Sequence, residues 1–262
     1  MPERESHEIS RREVLAASLA AAGALTLGNR ALGAPAAAGT EAAGPQRWLI
    51  IGAHADDEAK TTALLLKERK PDDKVTVMIM RVCGEGKLYD RPTWTREEAI
   101  ATRTYEMQQA AAFMKAELRW WLPPHPENKN IVRTPETVAK MLGILKEIQP
   151  TRIVANWHED FHPDHVGVGE LVGEAVRQWQ VPGGMPVYWF GTPGRAHAQP
   201  NFVPNHFVDI SDPAEIAYVL WSRMVHRSQA EFSALKAHVQ YYHDHGQKFG
   251  TQFAAGYRLE RI

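Results

Sequence analysis

Apolar residues recur along the chain in two periods. Trp48-Leu49-Ile50-Ile51 and Ile153-Val154-Ala155-Asn156-Trp157 are nearly continuous apolar runs, the pattern of strands buried on both faces. With their flanks they predict strands over Arg47 to Ile51 and Arg152 to Trp157. Lys74 to Val82 alternates and is β-branched, a further strand, and shorter ones follow at Leu118 to Leu122, Val187 to Phe190 and His206 to Ile210. Between them lie helical stretches. Glu58 to Lys70 carries a core face of Ala63, Leu64, Leu65 and Leu66 and is broken by Pro71-Asp72-Asp73. Thr95 and Glu98 form a capping-box pattern opening a helix to about Ala116. Thr134-Pro135 opens another, with proline at its first position. Val166 to Gln178 is a fourth, and Asp212-Pro213 opens a final helical region reaching about His245. Strands alternating with helices predict an α/β fold, a mostly parallel sheet with helices on both faces. No second core or long linker interrupts residues 47–262, so they read as a single domain.

The first 36 residues have a different composition. Ser10-Arg11-Arg12 precedes an apolar stretch from Val14 to Leu27, and small residues follow in Ala34-Pro35-Ala36-Ala37. This is the layout of a twin-arginine export signal with a small-residue cleavage site. The stretch is shorter than the ~20 residues a membrane span needs, and no cysteine follows it to carry a lipid. The expectation is export to the periplasm or beyond, with no stable membrane anchor after cleavage. Residues 37–46 read as a flexible lead-in. Removing 1–36 takes away Arg4, Arg11, Arg12 and Arg30 together with Glu3, Glu5, Glu8 and Glu13, so the formal charge stays at −1. Such a balance makes no electrostatic case for nucleic acid. Cys83 is the only cysteine, which excludes an internal disulfide and a cysteine-rich zinc site. No glycine-rich phosphate-binding motif occurs.

The candidate chemistry sits just past two of the apolar runs. Ala53-His54-Ala55-Asp56-Asp57-Glu58 follows the first, and His158-Glu159-Asp160-Phe161-His162-Pro163-Asp164-His165 follows the other. Each cluster therefore lies at a strand's carboxyl end, where open parallel sheets bind ligands. A catalytic zinc uses about three protein ligands and leaves a position for water. His54, Asp57 and His165 make a two-histidine, one-aspartate set. Such an ion lowers the pKa of water towards ~7 and polarises a carbonyl. Asp56 is placed to take the water's proton as a general base. His162 is placed to stabilise an oxyanion and protonate a departing amine, with Asp164 orienting its imidazole and raising its pKa.

These residues also carry a family resemblance. The first cluster resembles the A-H-P-D-D-E motif of the PIG-L/LmbE-like deacetylases, and His162-Pro163-Asp164-His165 is identical to their H-P-D-H. Gly84-Glu85-Gly86, Arg103-Thr104-Tyr105-Glu106 and His226-Arg227-Ser228-Gln229 are similar to fainter family patterns. The resemblance implies a Rossmann-like sheet without a dinucleotide and one zinc, or another divalent ion, per chain. It implies His54, Asp57 and His165 as ligands, Asp56 as base, His162 with Asp164 as the electrophilic pair, and Arg103 as a substrate contact. The implied activity is removal of an N-acetyl or other N-acyl group from an amino sugar or sugar conjugate, so the expected partner is a small-molecule or glycan substrate. The rivals are a metal-dependent amidase on a non-sugar amide and a non-catalytic carbohydrate-binding protein. The chain departs from the family at Ala55, where proline is usual, and at Val166, where a polar residue often follows the second motif.

Other residues are less committed. Tyr89, Trp94 and Trp157 are placed to stack on a sugar, whereas Trp120 and Trp121 read as strand and core. His158 is not expected to be a ligand. Tyr241-Tyr242-His243-Asp244-His245 reads as a solvated helix end, and Cys83 as a small buried hydrophobe.

Overall fold

The computed structural model describes residues 44–82, 94–124, 130–192, 199, 201–229 and 232–262, all within one compact unit, Ala43–Ile262. Residues 1–43, on which the expected export signal and most of the expected lead-in fall, and Cys83, Gly84-Glu85-Gly86 and Tyr89 lie outside the described residues. Strand β1 (Arg47–Gly52) pairs in parallel with β2 (Lys74–Ile79) on one side and β4 (Arg152–Asn156) on the other. Beyond them β3 (Glu117–Trp120) lies parallel to β2, and β5 (Pro186–Phe190) parallel to β4. β7 (Ala254–Arg261) runs antiparallel to both β5 and β6 (His206–Asp209). The seven-stranded order is β3-β2-β1-β4-β5-β7-β6.

Alternate residues of the central strands feed two cores. Trp48, Ile50, Val77 and Val154 face one side, under α1 (Thr62–Glu68), α2 (Arg96–Phe113), α5 (Pro213–Met224) and α6 (Phe232–Phe249). Leu49, Ile51, Met78 and Ile153 face the other, under α3 (Pro135–Ile148) and α4 (Pro163–Trp179). Burial on both faces is why these strands read as unbroken apolar runs. The expected caps are present. Thr95 and Glu98 close a reciprocal capping box on α2, and Pro135 sits in the first turn of α3. Among the described residues no helix is long and apolar enough to cross a membrane.

Three elements differ from the sequence pattern. The helix expected from Glu58 opens instead as a 3-10 turn, Asp57–Thr61, before α1. α4 starts at Pro163 and not Val166, because His162 caps it and Pro163 is preset for a first helical turn. β7 was not expected at all. Ala-Ala-Gly and alternating Arg and Glu are poor strand formers, and pairing on both edges supplies what local preference lacks.

The start of β1 is tied down by Asp73. Its carboxylate accepts the Gln46 N–H at 2.6 Å, the Lys70 N–H at 3.0 Å and the Trp48 indole N–H at 3.0 Å. Burial opposes ionisation, but these donors hold its pKa below the ordinary 3.8. A folded pKa below the unfolded one gives stability that is present above the unfolded value and lost as pH falls through the folded value. Asp73→Ala is therefore expected to cost about 1–3 kcal/mol at pH 7. Urea unfolding at pH 7 and pH 3 should show the gap from wild type narrowing in acid.

Candidate active site

The chain passes from β1 to β2 and β3 on one side, then returns to β4 on the other side of β1. The carboxyl ends of β1 and β4 thus flank the topological switch point, where open α/β sheets form their binding crevice. Buried Asn156 closes the two ends together, its Oδ1 accepting the Ala53 N–H at 3.0 Å. Past Gly52 the chain doubles back sharply, with the N–H groups of Asp56 and Asp57 both donating to the His54 carbonyl. A Cβ on Gly52 would stand 3.0 Å from Asp57 Cβ, so glycine is what admits the fold-back. Asp56 sits at φ 154°, ψ −10°. Side chains rarely enter that region, and the cost is about 1–3 kcal/mol.

Each proposed histidine ligand has a carboxylate behind it. His54 Nε2 donates to Asp164 Oδ2 at 2.8 Å, which leaves Nδ1 as its lone-pair nitrogen. His165 Nδ1 lies 3.3 Å from Asp160 Oδ2, which leaves Nε2. Those two remaining nitrogens face one oxygen, Asp57 Oδ2, at 4.0 Å from His54 Nδ1 and 3.4 Å from His165 Nε2. Donors around a tetrahedral zinc at ~2.1 Å stand about 3.4 Å apart. The donor set, its spacing and its carboxylate backing fit a divalent ion. His162 also brings a ring nitrogen within 4.8 Å of those of His54 and His165. Its Nδ1 accepts the Asp164 N–H at 3.2 Å, so the neutral ring carries its proton on Nε2. Burial and the neighbouring imidazoles of His54 and His165 hold its pKa below the usual imidazole value.

The expected pairing of Asp164 with His162 is corrected here. The Asp164 carboxylate meets His54 and, at 3.2 Å, Arg81; only its backbone N–H reaches His162. Its other oxygen accepts the Ile131 N–H at 3.0 Å. That contact depends on Gly167, where a Cβ would come 2.2 Å from the Ile131 carbonyl oxygen. Burial opposes ionisation of Asp164, but His54, Ile131 and Arg81 lower its pKa to about 2. Asp160, to which the sequence pattern assigned no role, is held by the Thr192 hydroxyl at 2.9 Å and by the Gln199 amide. Its signal was its place two residues before His162.

Asp56 lies beside this set and is ion-paired to Arg223 at 3.0 Å, with Arg103 at 3.6 Å. Burial opposes its ionisation, but the two guanidinium groups lower its pKa to about 2. Arg223 also donates to the Asp56 carbonyl at 2.9 Å. It stands on α5 in no motif, and only its place three residues before His226 could have marked it. Arg103, expected at the substrate, is 3% exposed and donates to the Ala55 carbonyl at 3.1 Å. Its position makes it a support of the loop and of Asp56. The two faint motifs among the described residues converge on the same task. Glu106 accepts from the Ser228 N–H at 2.8 Å and the Ser228 hydroxyl at 2.6 Å, and His226 is hydrogen-bonded to Glu58 in full burial.

Trp157, expected at the rim, is buried against His158, Trp189 and Phe202. His158 is not in the group of His54, His162 and His165. The late tyrosine-histidine run is not a solvated end. Tyr242 and His245 are buried, the His245 ring packs 4.1 Å from that of Tyr241, and burial takes its pKa down to about 4. In zinc titrations, Asp160→Ala and Asp164→Ala are each expected to weaken zinc binding by about 10–100-fold while leaving the far-UV circular dichroism unchanged.

Residues 49–176 match the family model described as PIG-L: GlcNAc-PI de-N-acetylase. Solved structures share the fold. N,N'-diacetylchitobiose deacetylase from Pyrococcus horikoshii is 21% identical, with 82% of this chain and 84% of that one covered at TM-score 0.65. GalB, the 4-carboxy-2-hydroxymuconate hydratase from Pseudomonas putida KT2440, is 16% identical, with 83% and 98% covered at 0.64. The zinc inhibited form of teicoplanin deacetylase Orf2 is 17% identical, with 82% and 98% covered at 0.56. Residues 49–176, which hold both acidic-histidine motifs seated at the switch point, are a PIG-L domain.

Proposed function

We propose that this protein is a zinc-dependent hydrolase that removes an N-acetyl, or other N-acyl, group from an amino sugar or sugar conjugate. The observation that carries the proposal is the convergence of His54, Asp57 and His165 beside an ionised carboxylate, Asp56, with no place among the donors. Structural relatives described as deacetylases of chitobiose and teicoplanin support the substrate class. GalB, described as a hydratase, shows that the fold alone does not set the reaction. The description of Orf2 as zinc inhibited keeps another divalent ion in view as the working metal.

His54, Asp57 and His165 would hold the ion, which supplies Lewis acidity and lowers the pKa of a water at the site. Arg223 and Arg103 keep Asp56 ionised, so it can accept that water's proton at neutral pH. The same cations make it a weak base, which suits a water already made acidic. The neutral His162 ring carries its proton on Nε2, from which it can hydrogen-bond the developing oxyanion, and the proton that Asp56 accepts passes on to the departing amine. Asp164 acts on it from behind, fixing its Nδ1 through the backbone N–H and aligning His54 through the carboxylate.

Acetate release from N,N'-diacetylchitobiose and N-acetylglucosamine conjugates tests the proposal directly. Asp56→Asn is expected to keep zinc and substrate affinity yet lose rate by about 10²–10⁴-fold. A zinc-loaded Asp56→Asn protein working at the wild-type rate would sink the mechanism. No turnover of any N-acyl sugar, with ligand binding intact, would favour the carbohydrate-binding alternative.

We also propose that residues 1–36 direct export by the twin-arginine route. The support is the Arg11-Arg12 pair before the apolar stretch and the small residues that follow it. Arg11→Lys with Arg12→Lys should leave the precursor in the cytoplasm on cell fractionation, and normal export of that double variant would refute it.

A further inference from the structure

The turn carrying Asp57 is 3-10 and not α-helical. Side chains three apart eclipse in a 3-10 helix, so Lys60 lies directly over Asp57. Its ammonium donates to Asp57 Oδ1 at 2.6 Å, and the two side chains are only 9% and 3% exposed. The Lys60 ammonium lies 5.4 Å from the centre of the Phe190 ring, and the Lys60 carbonyl accepts the Tyr257 hydroxyl at 2.9 Å, fixing the turn against β7. The other Asp57 oxygen, Oδ2, accepts the His54 N–H at 3.0 Å and faces the two histidine nitrogens. The two oxygens of one carboxylate thus have separate partners, a lysine on one and the candidate ligand cluster on the other.

We propose that Lys60 is a built-in counter-ion of the metal centre. It confines Asp57 to ligation through Oδ2, neutralises the buried carboxylate when the ion is absent, and loosens the ion's retention when it is present. The proposal rests on His54, Asp57 and His165 being the ligands. Its physical basis is simple. A buried carboxylate that loses a directly bonded cation is costly, and a fixed positive charge one carboxylate away from a divalent ion repels it. Asp57 keeps its orientation without Lys60, because the His54 N–H still holds Oδ2.

The test compares wild type, Lys60→Met and Lys60→Arg in zinc competition against a fluorescent chelator, and in thermal melts with and without EDTA. Lys60→Met should bind zinc at least about tenfold more tightly. Its metal-stripped form should melt lower than stripped wild type by about 3 °C or more, while the zinc-loaded forms melt together. Lys60→Arg, which keeps the charge, should show neither change. A mere packing defect would lower both melts and would not tighten zinc. Unchanged or weaker zinc binding in folded Lys60→Met overturns this inference alone, whereas a wild-type protein that binds no zinc overturns the ligand assignment as well. Should Lys60→Met fail to fold, Lys60→Gln removes the same charge with a polar side chain and decides by the same readings.

Discussion

The parallel pairing of β1 with β4 is the constraint on which the site depends. It sets two segments about a hundred residues apart side by side, both ending at the same edge of the sheet. Asn156 locks the two ends by one buried hydrogen bond to the Ala53 N–H. Everything chemical is hung from those ends. The fold-back after Gly52 turns Asp57 under His54, and Pro163 starts α4 with Asp164 and His165 in its first turn. A shift of either strand by one residue would exchange its two core faces and separate the donor nitrogens from Asp57.

Beneath the crevice lies a buried ionic and polar network that costs desolvation and stabilises through completeness. Arg103, Arg223, Glu58, Glu106, His226 and Ser228 come from three distant stretches, and each lends a partner to another or to the Asp56 loop. Such networks are weak contributors to stability when summed but strong ones when broken, because each lost partner leaves a buried charge. The network explains how Asp56 keeps a backbone conformation that no isolated aspartate would favour. The surroundings over-determine it, which is how strained residues persist at functional sites.

The fold was largely legible because its central strands are buried on both faces and its helices carry proper caps. Thr95 with Glu98 and Thr134 with Pro135 announced α2 and α3 by local chemistry alone. The meeting of the two acidic-histidine clusters was legible for a similar reason, since motifs at strand ends read their own position. What pairing decides was not legible. Arg223 and Asp160 matter for what they touch across the fold, and locally only their short spacing to His226 and His162 marks them. Arg103 and Trp157 have the chemistry of substrate contacts, but burial assigns them to support and core. The orientation of Asp164 towards His54 depends on the close approach of Ile131 to Gly167, two positions with no sequence pattern linking them.

β7 lies between β5 and β6 although it follows both along the chain. During synthesis β5, paired with β4 on one side, therefore waits with its other edge open and β6 waits with no partner, because both need a strand made later. Open edges are templates for the wrong neighbour, and contacts between distant segments close slowly. The half of the sheet nearest β4 is thus the last to be sealed. A nascent chain halted before Ala254 would carry both acidic-histidine loops while exposing a hydrophobic strand edge beside them, a target for chaperones and proteases until β7 arrives.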